Sequence, residues 1–171
     1  MLEQFLVTLT GPYQPGIMNR LAALTHQYQG KWLSNKMVNL EGRFAAIIKI
    51  ELPDTNVSTL QAALSALPDM QMTVHDNLWQ PEATKTIELK VDAKDQPGLI
   101  NEITKVTSSL DISIDDMTSR RISVPETGST VFTSEFDLTL PEQLDEDTLI
   151  TALEALHPHL IAEVMDPRPS K

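Results

Sequence analysis

The segment Gln14-Pro15-Gly16-Ile17-Met18-Asn19 returns as Gln96-Pro97-Gly98-Leu99-Ile100-Asn101, a step of 82 residues from Gly16 to Gly98. Phe44, Ile48, Ile50, Leu52 and Pro53 then match Phe132, Phe136, Leu138, Leu140 and Pro141, a step of 88 from Phe44 to Phe132. Leu60, Ala63, Leu64, Ala66 and Leu67 match Leu149, Ala152, Leu153, Ala155 and Leu156, a step of 89 from Leu60 to Leu149. Three anchors in the same order describe one unit present twice, so every element assigned to one copy must be available to the other.

Each copy reads as strand, helix, strand, strand, helix, strand. Phe5, Val7 and Leu9 alternate with polar or neutral positions, as do Ile87, Leu89 and Val91, which is the pattern of a half-buried strand. After Ile17 the apolar spacing changes to Leu21, Leu24 and Tyr28, and after Leu99 to Ile103, Val106 and Leu110, one face of a helix. Strands are expected over 31–40 and 43–52, and over 112–123 and 130–140. A second helix and a last strand close each copy, at 57–67 with 70–78 and at 147–156 with 159–165. The βαββαβ order predicts an α+β fold, with two ferredoxin-like antiparallel sheets that carry their helices on one face. The expected domains are residues 1–80 and 84–168. The linker around Gln80-Pro81-Glu82-Ala83 is short enough to predict that the modules pack together.

The strand, then Asp95-Gln96-Pro97-Gly98-Leu99 opening a helix, then the remaining elements resemble the ACT domain, a ligand-sensing module common in amino-acid metabolism. The first copy has Tyr13 where the second has Asp95. Two such modules filling a chain of this length resemble the bacterial glycine cleavage system transcriptional repressors. That resemblance implies regulation by contact with a DNA-binding transcription factor, with glycine as the effector that alters the contact.

The residues themselves are consistent with a ligand site. Pro15 and Pro97 disfavour helical geometry in the preceding glutamines, so the chain turns sharply before the helix begins. Gly16 and Gly98 bring bare backbone to the surface. The first N–H groups of the helix lack intrahelical partners and lie at the positive end of its dipole, where an amino-acid carboxylate can be held. Acceptors for the ligand's ammonium are available in Asp95 and in the side-chain oxygens of Gln14, Asn19, Gln96 and Asn101. Tyr13, Gln14, Gly16, Asn19, Asp95, Gln96, Gly98 and Asn101 are therefore the candidate ligand residues. A Pro-Gly turn into a helix is equally sound with nothing bound, and Asn19 or Asn101 can simply bond the preceding loop.

The second copy carries its six extra residues, the difference between steps of 88 and 82, within 118–129, where Arg120 and Arg121 stand side by side. They are candidate partner contacts or anion ligands. The plain alternative is an ion pair with Asp115 or Asp116.

Charge narrows the partners. The net charge is -11, and most of it falls after residue 83. Nucleic-acid binding relies on lysines and arginines that neutralise phosphates, so direct DNA binding is not expected. No apolar run reaches the roughly 18 residues of a membrane span. The first sixteen residues contain no basic side chain and do not read as a secretory signal, so a cytoplasmic protein is expected. The chain has no cysteine, which removes thiol chemistry and thiolate-bound zinc. His26, His75, His157 and His159 show no paired-ligand spacing beyond His157-Pro158-His159, so no metal site is expected. There is no phosphate-cradling loop, dinucleotide fingerprint or nucleophile elbow, and neither a cofactor nor an enzymatic activity is expected. Asp145-Glu146-Asp147 reads as the cap of the helix that follows, and Met70 and Met72 as core filler. The expected function is a small-ligand sensor controlling a transcription factor. The alternative is a ligand-free dimerisation module or an accessory regulatory module of a metabolic enzyme. Under either reading, exposed sheet edges and faces offer a surface for a homodimer.

Overall fold

The computed structural model describes residues 1–76 and 84–165, which fall into two compact units. The expected linker around 80–83, and the ends of the last strands expected beyond residue 76 and of the second domain beyond 165, lie outside the described residues.

The first unit runs β1 (Leu2–Pro12), α1 (Ile17–Gln27), β2 (Lys31–Leu40), β3 (Arg43–Pro53), a 3-10 turn (Asp54–Asn56), α2 (Val57–Ser65) and β4 (Gln71–His75). The second runs β5 (Thr84–Lys94), α3 (Leu99–Ser109), β6 (Ser113–Val124), β7 (Ser129–Pro141), α4 (Glu146–Glu154) and β8 (Ile161–Met165). The sheets have the orders β2-β3-β1-β4 and β6-β7-β5-β8, antiparallel throughout. This is the expected ferredoxin-like arrangement, twice.

Alternation along the strands builds each core. In the first unit Phe5, Val7 and Leu9 of β1 and Phe44, Ala46, Ile48, Ile50 and Leu52 of β3 point to one face, where Ile17 and Leu21 of α1 and Leu60 and Leu64 of α2 pack on them. The second unit repeats this with Ile87, Leu89 and Val91, Phe132, Phe136, Leu138 and Leu140, Leu99 and Ile103, and Leu149 and Leu153. Each fully buried side chain of this size contributes about 1.5–3 kcal/mol. Met70 and Met72 pack against the first core as expected. One core position differs in chemistry: Ser134 stands where the repeat places Ala46, and its buried hydroxyl donates to the Thr118 carbonyl at 3.1 Å.

The opposite sheet faces differ between the copies. In the first unit that face carries Leu6, Thr8, Ala45, Lys49 and the half-exposed Ile47. In the second it carries Glu88, Lys90, Asp92, Glu135 and Asp137, which locates part of the acidic charge of the second half.

The predicted helix ends move inward. α2 stops at Ser65 and α4 at Glu154, because Leu67 and Leu156 belong to the closing turns, their amides bonding back to Leu64 and Leu153. Asp145 caps α4 through its side chain, which accepts from the Asp147 amide. No helix among the described residues is long and apolar enough to cross a membrane.

Candidate functional site

Each glycine turn opens its helix in the same way. Gly16 and Gly98 are the N-cap residues of α1 and α3, with φ of 79° and 89°, and neither helix has a side-chain cap. A left-handed backbone costs a residue with a Cβ roughly 1–2 kcal/mol, which is why glycine stands there. Crowding is not the reason, since a Cβ built at either position would meet nothing within 4 Å. The turn backbone faces open space in both units, as close approach of a ligand to bare backbone requires.

Asn19 and Asn101 sit in the first turns of these helices, exposed, and their side chains have no hydrogen-bond partner among the described residues. Of the polar candidates, they and the exposed Tyr13 have side chains left available to a ligand among the described residues.

The glutamines are otherwise engaged. The Gln14 amide donates to the Pro68 carbonyl at 3.2 Å, and its oxygen accepts from Arg20 at 3.3 Å. In the second unit the Gln96 amide nitrogen meets both ring nitrogens of His157, 3.0 Å from Nδ1 and closer to Nε2, and Nε2 also lies 2.6 Å from a Glu102 carboxylate oxygen. The repeat relates these sites position by position. Glu102 follows Arg20 by 82 residues and His157 follows Pro68 by 89. In both copies, therefore, the glutamine of the turn ties the start of one helix to the corner between the other helix and the last strand. Arg20, Pro68, Glu102 and His157 were not among the sequence candidates. The signal was present, because the same offsets that align the anchors align these residues.

Tyr13 and Asp95 also occupy equivalent places, with backbone amides bonded to the Gly42 and Thr130 carbonyls at 2.8 and 2.9 Å. Tyr13 is exposed. Asp95 accepts from Arg121 Nε at 3.0 Å, and the guanidinium lies 5.7 Å from the centre of the Phe132 ring. This corrects one expectation, since Arg121 pairs with the turn residue Asp95 and not with Asp115 or Asp116. Arg121 is paired with Phe132 across the β6–β7 ladder, so it points to the helix-bearing face and reaches the turn. Its neighbour Arg120 points to the other face, beside Thr118, Thr133 and Glu135. The two arginines therefore do not form a single patch. Among the described residues no group of three metal-ligating side chains is present.

The turns thus offer uncapped helix amides, open space and two free asparagines, with an ion pair of both signs added at the second. Residues 3–75 match the family model of the ACT domain. No curated protein matches the sequence. Among solved structures, an unknown protein from Galdieria sulphuraria is 23% identical, with 96% of this chain and 98% of that chain covered and a TM-score of 0.84. A protein provisionally named a glycine cleavage system transcriptional repressor is 16% identical, with 98% and 99% covered and a TM-score of 0.69. At these identities the likeness is one of fold, extending over both modules.

Proposed function

We propose that this chain, whose first module is an ACT domain and whose second repeats the same fold, is a regulatory sensor of a small ligand, an amino acid, that controls a transcription factor by direct contact. The observation that carries the reading is the pair of glycine turns, each opening an uncapped helix onto free space beside an unpartnered asparagine. A ligand carboxylate on the helix amides and an ammonium on the asparagine oxygen is the pose these groups favour. The domains are residues 1–80 and 84–168, in the cytoplasm. Glycine as effector, and repression of the glycine cleavage system, are supported by the name of a structural neighbour that spans both modules.

A second reading has an observation in its favour. Gln14, Gln96 and Asp95 spend their side chains on bonds within their own module, as they would in a ligand-free dimerisation module or an accessory regulatory module of a metabolic enzyme. A thermal-shift screen of the full chain against the twenty amino acids separates the two. A ligand that binds only the folded state, at about 100 times its dissociation constant, adds about 2.7 kcal/mol. A selective rise in midpoint, lost in Asn19→Ala or Asn101→Ala, supports the sensor; no rise with any amino acid favours the second reading. Affinity capture from cell extract, with and without the active amino acid, then distinguishes a transcription factor from an enzyme as partner.

A further inference from the structure

The charged pair at the second turn joins two features that the first module lacks. Asp95 stands where the first module has Tyr13, and Arg121, opposite Phe132 in the ladder, stands where the first module has Asn39, opposite Phe44. In the first module the Tyr13 amide bonds the Gly42 carbonyl, in the loop that ends the β2–β3 hairpin. In the second the Asp95 amide bonds Thr130, inside β7, and the longer hairpin continues outward as an arm through the pairs Ile122–Val131, Ser123–Thr130 and Val124–Ser129. We propose that the Asp95–Arg121 pair is a relay between the second glycine turn and this arm, so that a change at the turn alters how firmly the arm is held. The relay stands on the geometry of the second module; its use as the output of an amino-acid signal rests on the sensor reading.

The coupling runs through side chains. Asp95 lies three residues before Gly98, in the loop that Pro97 and Gly98 shape, so it moves with the turn. Arg121 lies at the base of the arm, where its Nε donates to Asp95 at 3.0 Å and its guanidinium is steadied by the Phe132 ring, 5.7 Å away. With Nε engaged, the rest of the guanidinium N–H groups remain for a second anion. A ligand carboxylate on the α3 amides would share the guanidinium with Asp95 and draw the base of the arm toward the turn. The first module has the backbone bond alone, with no charge at Tyr13 or Asn39. Because the Arg121 and Asp95 side chains are 54% and 24% exposed, the relay should change the opening of the arm by at most about fivefold.

Amide hydrogen exchange of the full chain tests this, because local opening of a hairpin is read directly at its own amides. Arg121→Gln should speed exchange at residues 122–131 by up to about fivefold. Asp95→Asn should do the same and add nothing to Arg121→Gln, and it keeps the test open if the first variant fails to fold. Gly98→Ala perturbs the turn without a ligand, since it places a Cβ at a φ of 89°. It should speed exchange in the arm of the parent, relative to the core strand β5, and leave the arm of Arg121→Gln as it was. Gly16→Ala should leave residues 39–44 unchanged relative to β1. An amino acid that binds the second turn should slow the arm in the parent and not in Arg121→Gln. If no amino acid binds, the sensor reading fails while the glycine variants still decide the relay. An arm that ignores Gly98→Ala, or that answers it equally with and without Arg121, would overturn the proposal.

Discussion

Replacing Gly16 with alanine isolates the cost of the left-handed turn, because the position is free of steric conflict. At φ of 79° an L-residue loses roughly 1–2 kcal/mol, and the added methyl meets nothing within 4 Å that could add to or offset that loss. Asparagine tolerates the left-handed region better than alanine, so Gly16→Asn should lose less. Trp32 is the reporter: its indole donates to Thr25 inside the first module at 2.9 Å, and changing Trp79 to phenylalanine leaves it the single tryptophan. With a urea dependence of about 1–3 kcal/mol per molar for a small domain, Gly16→Ala should lower the unfolding midpoint by roughly 0.3–2 M. An alanine variant as stable as the parent, or an asparagine variant less stable than the alanine one, would refute the assignment of this glycine to backbone conformation.

Gly11 presents the opposite case: a Cβ there would lie 2.5 Å from Met70 Sδ and 2.6 Å from the Asp69 carbonyl, so Gly11→Ala should destabilise in urea by more than Gly16→Ala, whereas the equivalent Ala93 is already accommodated. Thr25→Val should cost about 1–3 kcal/mol by leaving the Trp32 indole N–H without an acceptor, and Thr107→Val, which affects no indole, should cost less in the same measurement. A double-mutant cycle on Asp95 and Arg121 should give a coupling below about 1 kcal/mol, as befits an exposed pair, and a value above 2 would show a buried role. Hydrogen bonds from Lys31 and Gln4 hold the Glu51 carboxyl below its usual value of 4.5. Its contribution is therefore complete above that pH and lost as pH falls through the lowered value, and Glu51→Gln should flatten the acid limb of the stability curve.

The fold was legible because duplication tested each assignment twice: a strand read from Phe5, Val7 and Leu9 had to agree with one read from Ile87, Leu89 and Val91. Helix ends were less legible, since Leu67 and Leu156 keep the apolar spacing while serving the turn after the helix. At the site, the glycine turns could be read from local sequence because their geometry is local. The Asp95–Arg121 pair could not, as it depends on the register that sets Arg121 opposite Phe132, which no single-strand pattern fixes. The glutamine ties lie between these cases. Their partners are 54 and 61 residues away, yet the repeat offsets place Pro68 over His157 and Arg20 over Glu102, with the charge reversed in the second pair.

The central claim is that the glycine turns take an amino acid, and the most direct measurement is a backbone-amide NMR titration of the 15N-labelled full chain with glycine and then with the other amino acids. Saturable shifts centred on residues 16–20, 98–102 or both, with one amino acid preferred, are what the account predicts. Shifts that are absent at saturating concentration for every amino acid, or that centre on residues away from both turns, would contradict it.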